Sequence, residues 1–252
     1  MIFRVNALEN AQQIFYASIS RYYSDIFPFN PAQLSFVERQ LFSLQNKSLL
    51  DIGCATGELS FQLARRDANV TGIDLSTGLL QQALARDALP NLVFKEGNML
   101  NLKSDFQQAQ FDSVICFGNT LVHLDSLEIV KKMLEGVRFV LKPGGKFLLQ
   151  ILNYDYILEN QVNTLPQIET DKLIFIRNYE FVEGAEHVQF KTRLFLKNEG
   201  IQIQNKTKLL ALRSRQLQAA LKESGFSKIS FYSGFNEDAF GGSHLPLVAS
   251  CR

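Results

Sequence analysis

The stretch LLDIGCATGEL, residues 49–59, passes from an apolar run through small residues into a segment patterned like a helix. That order is the start of a βα unit, and the loop at the carboxyl end of such a strand is where open α/β sheets bind ligands. Gly53 and Gly57 stand just past the strand, and glycine there lets backbone approach a ligand and turn sharply. A glycine-bearing turn by itself also reads as a mere tight connection. Two carboxylates sharpen the reading. Asp74 ends a second strand, NVTGIDL, about 20 residues on, where a carboxylate can accept hydrogen bonds from both ribose hydroxyls. Asp51 adds negative charge on the strand side of the loop; it would repel a pyrophosphate and attract a sulfonium or an α-amino group. The pattern is D-x-G-x-A-x-G, with Ala55 at the middle position, and not G-x-G-x-x-G. The cradle therefore suits a cationic nucleoside better than a dinucleotide.

Outward from this stretch, strand and helix alternate. KSLLDIG, NVTGIDL, NLVFKEG, FDSVICFG and KFLLQIL read as buried strands. GELSFQLARR, STGLLQQALARD and DSLEIVKKMLEGVRFVL read as the helices between them, and LKPGG as a turn before the fifth strand. Continuous apolar strands alternating with amphipathic helices imply an α/β fold with a parallel sheet covered on both faces. LIFIRNYEFV, HVQFKTRLFLK and IQIQNKTKLLAL then read as an antiparallel patch inserted in this frame, before a helix at RSRQLQAALKESG and strands at KISFYS and LPLVAS. One domain is expected, with an N-terminal helical cap over 1–44 broken at FPFNP, a core over 45–152, inserted substrate-side strands over 153–212, and the end of the core over 213–252.

Composition narrows the function. The 252 residues hold 26 basic and 25 acidic side chains and are 46% hydrophobic. Such a balance gives no electrostatic footprint for nucleic acid or an acidic membrane. The N-terminus lacks the apolar core of a signal peptide, and no apolar run is long enough to span a bilayer. Cys54, Cys116 and Cys251 are not spaced as metal pairs; they read as buried free thiols in a reducing compartment. A cytoplasmic protein without a metal is expected.

The motifs together resemble class I S-adenosylmethionine-dependent methyltransferases, whose fold is a Rossmann-like seven-stranded sheet. The resemblance implies that Gly53, Cys54, Ala55 and Gly57 form the cofactor loop and that Asp74, followed by Leu75, meets the ribose. It further implies that Asn98 and Met99 meet the adenine. The segments VICFGNTLVHL and NYDYIL are similar to those of the glycine and sarcosine N-methyltransferases. This implies that Phe117, Gly118 and His123 lie by the methionine part of the cofactor, Asn119 faces the substrate and Tyr154 lies near the active site. Those relatives carry a carboxylate-pairing arginine immediately before NYDYIL, at the position of Leu152 here. Leucine cannot hold a carboxylate, so a larger or uncharged acceptor is expected.

Alternatives stand beside these roles. His123 is a cofactor contact, a general base or a satisfied loop histidine. Tyr22 and Tyr23 close over the cofactor or merely pack the N-terminal helices. Arg177 and Arg193 recognise an anionic substrate or are solvated strand charges. The reading as a whole is a monomeric or homodimeric enzyme methylating a small molecule, at nitrogen first and at oxygen as the alternative, with a non-catalytic S-adenosylmethionine-binding protein as the reading from another class.

Overall fold

A computed structural model describes residues 7–182 and 184–252. Three α-helices come first: α1 (Ala7–Ile19), α2 (Tyr23–Ile26) and α3 (Pro31–Leu41), with a 3-10 turn between the first two. Asn30 caps α3, its side chain accepting from Ala32 N–H, and Pro31 occupies the first helical position, where a missing N–H costs nothing. The break expected at FPFNP falls between α2 and α3.

The frame follows as β1 (Ser48–Ile52), α4 (Glu58–Ala64), β2 (Asn69–Asp74), α5 (Thr77–Leu84), β3 (Leu92–Glu96), α6 (Leu102–Asp105), β4 (Phe111–Cys116), α7 (Leu127–Val140), β5 (Leu141–Leu152) and α8 (Tyr154–Glu159). Then come β6 (Ile168–Glu169), β7 (Leu173–Phe181), β8 (His187–Leu196), β9 (Ile201–Leu210), α9 (Ser214–Glu223), β10 (Ser230–Tyr232) and β11 (Pro246–Cys251). The seven-stranded sheet has the order β10-β11-β5-β4-β1-β2-β3. Strands β1 to β5 pair in parallel, while β11 runs antiparallel to β5 and β10 antiparallel to β11. Strand β1 lies between β2 and β4, so the chain direction across the sheet reverses beside it, and a crevice opens at the carboxyl ends of β1 and β4.

The apolar runs are continuous because alternate residues serve two different layers. Val114, Cys116, Phe147 and Leu149 pack under α7 and α9 with Met133, Leu134, Val137 and Leu221. Ile115 and Leu148 point the other way, to Phe36 and Val37 of α3 and Leu63 of α4.

LKPGG corrects an expectation. It is not a turn ahead of the fifth strand but part of β5, which begins at Leu141 opposite Phe111 and resumes register at Lys146 opposite Ser113. The intervening residues bulge from the ladder, and Gly144 supplies the left-handed backbone (φ +76°) that the kink requires.

The inserted strands form a separate antiparallel sheet, β6-β7-β8-β9. Its inner face packs Leu173, Phe175, Leu194 and Leu196 against Phe15, Ile19 and Ile26 of the N-terminal helices. Cap and insertion thus make one roof over the crevice. Among the described residues no helix is long and apolar enough to cross a membrane, and no cluster of His, Cys, Asp or Glu side chains is placed to hold a metal. All three cysteines are buried free thiols.

Candidate active site

The loop after β1 is built around β2. Gly53 and Cys54 N–H donate to the Ile73 carbonyl at 2.8 and 3.1 Å, and Gly57 N–H closes onto the Cys54 carbonyl at 2.8 Å. Gly53, Ala55 and Gly57 all have positive φ, +73°, +50° and +73°. A Cβ on Gly53 would come 2.7 Å from the Thr120 side chain, and one on Gly57 would come 2.3 Å from the Phe94 ring. Gly57 therefore serves helix-to-sheet packing at the start of α4. Ala55 carries a left-handed conformation with a side chain, which costs roughly 1–2 kcal/mol. Ala55→Gly is expected to stabilise the fold by about 1 kcal/mol once the greater flexibility of glycine is subtracted; an unchanged denaturation midpoint would show that the loop relaxes in solution.

Asp74 organises this loop. Its Oδ2 accepts from Ala55 N–H at 2.9 Å and its Oδ1 from Ser76 N–H at 2.8 Å. Burial raises its carboxyl above the ordinary range, and the backbone donors only partly offset this. The carboxylate keeps acceptor capacity for a ligand. Asp51 is buried at 4% exposure and accepts from Ser60 Oγ at 2.5 Å. Burial pushes its carboxyl up to about 6; the Ser60 hydroxyl works against that rise and the Asp74 charge adds to it.

Two cavities meet under the roof. The first is narrow and is walled by Gln12, Asp74, Leu75, Ser76 and Met99 among others; a small adjoining space adds Asn98 beside Leu75 and Met99. The second is a chamber of about 440 Å³, walled by Phe27, Asp51, Cys54, Asn119, Leu152, Arg177 and Tyr179 among others. The two share Tyr16, Tyr23, Gly53, Ala55, Phe117, Gly118 and His123.

This junction contains the residue that sequence reasoning missed. Tyr16 O–H lies 2.9 Å from His123 Nε2, and the rings meet edge-on at 5.5 Å. Helical spacing held the signal, since Gln12 and Tyr16 are one turn apart on the α1 face that reaches the cavities. Of the two tyrosines that sequence singled out, Tyr23 is on the shared wall, whereas Tyr22 leaves the site and donates to Glu199 at 3.0 Å. Burial raises the Tyr16 and Tyr23 phenols and lowers His123 to about 4. The imidazole is thus neutral near pH 7 and a feeble base.

Beyond β4, Gly118 N–H donates to Gln150 Oε1 at 2.8 Å, a partner the sequence did not advertise. Asn119 has a left-handed backbone, φ +66°. Its Oδ1 accepts from Leu152 N–H at 2.9 Å and its Nδ2 donates to the Tyr154 hydroxyl at 3.4 Å. Tyr154 is fully buried and is not among the chamber's lining residues, with burial pushing its phenol up to about 12. Arg177 faces the chamber and its Nη2 donates to the Pro166 carbonyl at 2.7 Å, whereas Arg193 is exposed on the other face of the inserted sheet.

The donor set fits a cationic nucleoside. Asp74 can accept ribose hydroxyls, Leu75 and Met99 offer apolar faces with Asn98 beside them, and two buried carboxyls favour positive charge near the loop. Ala55 and Ser76 N–H are already spent on Asp74, and the two carboxyls beside the loop oppose a pyrophosphate.

Comparison with known proteins agrees. The methyltransferase domain family matches residues 43–208. The ubiquinone biosynthesis O-methyltransferase of Coxiella burnetii (strain RSA 331 / Henzerling II) is 32% identical over 167 residues, covering 62% of this chain and 68% of its own length. The glycine N-methyltransferase of Rattus norvegicus is 34% identical over 123 residues, but these are 44% of this chain and 42% of the rat protein. A solved S-adenosylmethionine-dependent methyltransferase from Clostridium acetobutylicum ATCC 824 has the same fold, with a TM-score of 0.78 at 17% identity over 94% of this chain and 98% of that one. The chain belongs to the methyltransferase domain family, and it is an enzyme of that class.

Proposed function

We propose that the chain transfers a methyl group from S-adenosylmethionine to a small-molecule acceptor in the larger chamber, at nitrogen in the first reading. The observation that carries this is the wall shared by the two cavities, which puts a nucleoside cradle and an acceptor chamber on either side of Tyr16, Gly118 and His123. S-adenosylmethionine supplies a methyl group on a sulfonium, open to in-line attack by a nucleophile. The chain supplies alignment and the exclusion of water. Asp74 would hold the ribose, Leu75, Asn98 and Met99 the adenine, and Asp51 would lie toward the cationic end.

Nitrogen is favoured by the state of His123. An amine attacks through its own lone pair, while an alcohol or phenol must give up a proton. The one histidine on the shared wall is neutral, poorly basic and engaged by Tyr16. The oxygen reading rests on the Coxiella relative, an O-methyltransferase by name. Turnover of S-adenosylmethionine across a library of small amines, phenols and acids separates the readings. N-methylated products are expected, with the rate rising toward alkaline pH as the acceptor ammonium loses its proton. O-methylated products alone would sink the nitrogen reading, and donor binding without turnover of any acceptor would support a binding protein.

Leu152 lies on the chamber wall, where relatives acting on glycine have their clamp. Glycine and sarcosine are therefore expected to be at least ~10-fold poorer in kcat/KM than the best acceptor in that library, a modest value for one missing charge-assisted pair. Either amino acid ranking first would overturn the expectation.

A further inference from the structure

We propose that the acceptor is a largely apolar molecule bearing one carboxylate, and that Arg177 anchors this carboxylate at the inserted-sheet end of the chamber. The inference rests on the acceptor reading of that chamber.

Strand alternation explains why an arginine is there. Residues 173, 175, 177 and 179 of β7 share one face, and Leu173, Phe175 and Tyr179 on it are buried. Arg177 is thus carried inward by the same period that buries its neighbours. Burial lowers the affinity of its guanidinium for its proton. Among the described residues its side chain makes one hydrogen bond, from Nη2 to the Pro166 carbonyl. Its Nε is buried and finds no partner among the described residues, nor does the hydroxyl of Thr192 directly opposite in register, while the Tyr179 hydroxyl two residues on has the Tyr154 hydroxyl beside it. Buried donors without partners are uncommon, and Arg177, which faces the chamber beside Tyr179, carries one in need of an acceptor. An incoming carboxylate accepts from donors of this kind and neutralises the guanidinium.

The rest of the chamber states what the carboxylate is attached to. Phe15, Phe27, Leu152, Leu165 and Phe190 line it, so the body of the ligand is apolar. Arg177 is the only lysine or arginine among the described residues on that wall. The two acidic wall residues, Asp51 and Glu58, belong to the opposite, cradle side, and Glu58 is already paired with Arg86. An anion is therefore repelled at the reacting end and attracted at the sheet end. This polarity orients the acceptor with its nucleophile toward the shared wall and away from Arg177.

The test is direct binding, read by calorimetry on the full chain without methyl donor, of the matched probes 3-phenylpropanoate and 3-phenylpropanamide. The carboxylate is expected to bind at least ~10-fold more tightly than the amide, as one hydrogen bond to a charged group implies. Arg177→Gln should abolish that preference while leaving S-adenosylmethionine affinity unchanged, and Tyr179→Phe should reduce it about threefold. Equal affinities, no binding of either probe, or a preference that survives Arg177→Gln would overturn the proposal. Should Arg177→Gln fail to fold, the wild-type comparison and Tyr179→Phe decide it. Failure of the donor reading looks different: the wild-type chain would then keep its carboxylate preference but bind no S-adenosylmethionine.

Discussion

Asp74→Ala is expected to weaken S-adenosylmethionine binding about 100-fold or more. Hydrogen bonds to a charged group contribute roughly 1.5–3 kcal/mol each, and the substitution removes the acceptor proposed for both ribose hydroxyls. It also strands Ala55 N–H and Ser76 N–H, which now end on the two carboxylate oxygens, so the glycine loop loses its support together with the ligand. Asp74→Asn keeps one acceptor oxygen and should lose about tenfold. Because burial raises the Asp74 carboxyl, affinity should also fall on acidification sooner than an exposed aspartate would allow. Calorimetry giving the wild-type affinity for Asp74→Ala would remove Asp74 from the donor site. NAD is expected not to compete, since Asp51 and Asp74 set negative charge beside the loop where its pyrophosphate would come.

The frame was legible because its strands are apolar on both faces. A run such as FDSVICFG can be nothing but a covered strand, and the structure divides it residue by residue between two layers. The acidic pair was legible from the same runs, since a carboxylate at the end of a buried strand has only the loop region to serve. Side-chain direction was not. Arg177 and Arg193 looked alike in sequence, and only the pairing of β7 with β8, Arg177 opposite Thr192, sends one into the chamber and the other to solvent. Tyr16 was lost for a related reason: the helix was visible, but which of its faces the roof turns downward depends on the packing of Phe15 and Ile19 against the inserted sheet. LKPGG misled because its proline and glycines signal a break locally, while β4 keeps the chain in the ladder on either side. Tyr154 is buried behind the chamber wall, its hydroxyl accepting from Asn119, a depth that the motif does not reveal.

Asp51→Asn is expected to stabilise the unliganded protein at pH 7 by on the order of 3 kcal/mol. The Asp51 carboxyl titrates at about 6 in the folded chain against an ordinary 3.8, and each pH unit of difference corresponds to about 1.4 kcal/mol. Since the folded-state value is raised, the contribution of the protonated carboxyl is complete below pH 3.8 and is lost as pH rises through 6. His123 has the opposite sign. Its folded-state value is lowered to about 4 from 6.5, so its contribution is present above 6.5 and is lost as pH falls through 4. Between pH 4 and 6 the two slopes oppose each other, and the wild-type denaturation midpoint should change little on their account. Asp51→Asn removes one of them and should uncover a fall in stability as pH drops from 6.5 to 4; His123→Gln should uncover a fall as pH rises from 4 to 6. Parallel profiles for all three proteins would show that neither group titrates as its burial requires. The asparagine can still accept from Ser60, so lost packing does not confuse the comparison. The same substitution should weaken the cationic donor, because a sulfonium and an α-ammonium near the loop would draw the carboxyl back to its charged form. Stability gained with donor affinity lost is the signature of a charge kept buried for binding at the expense of the fold.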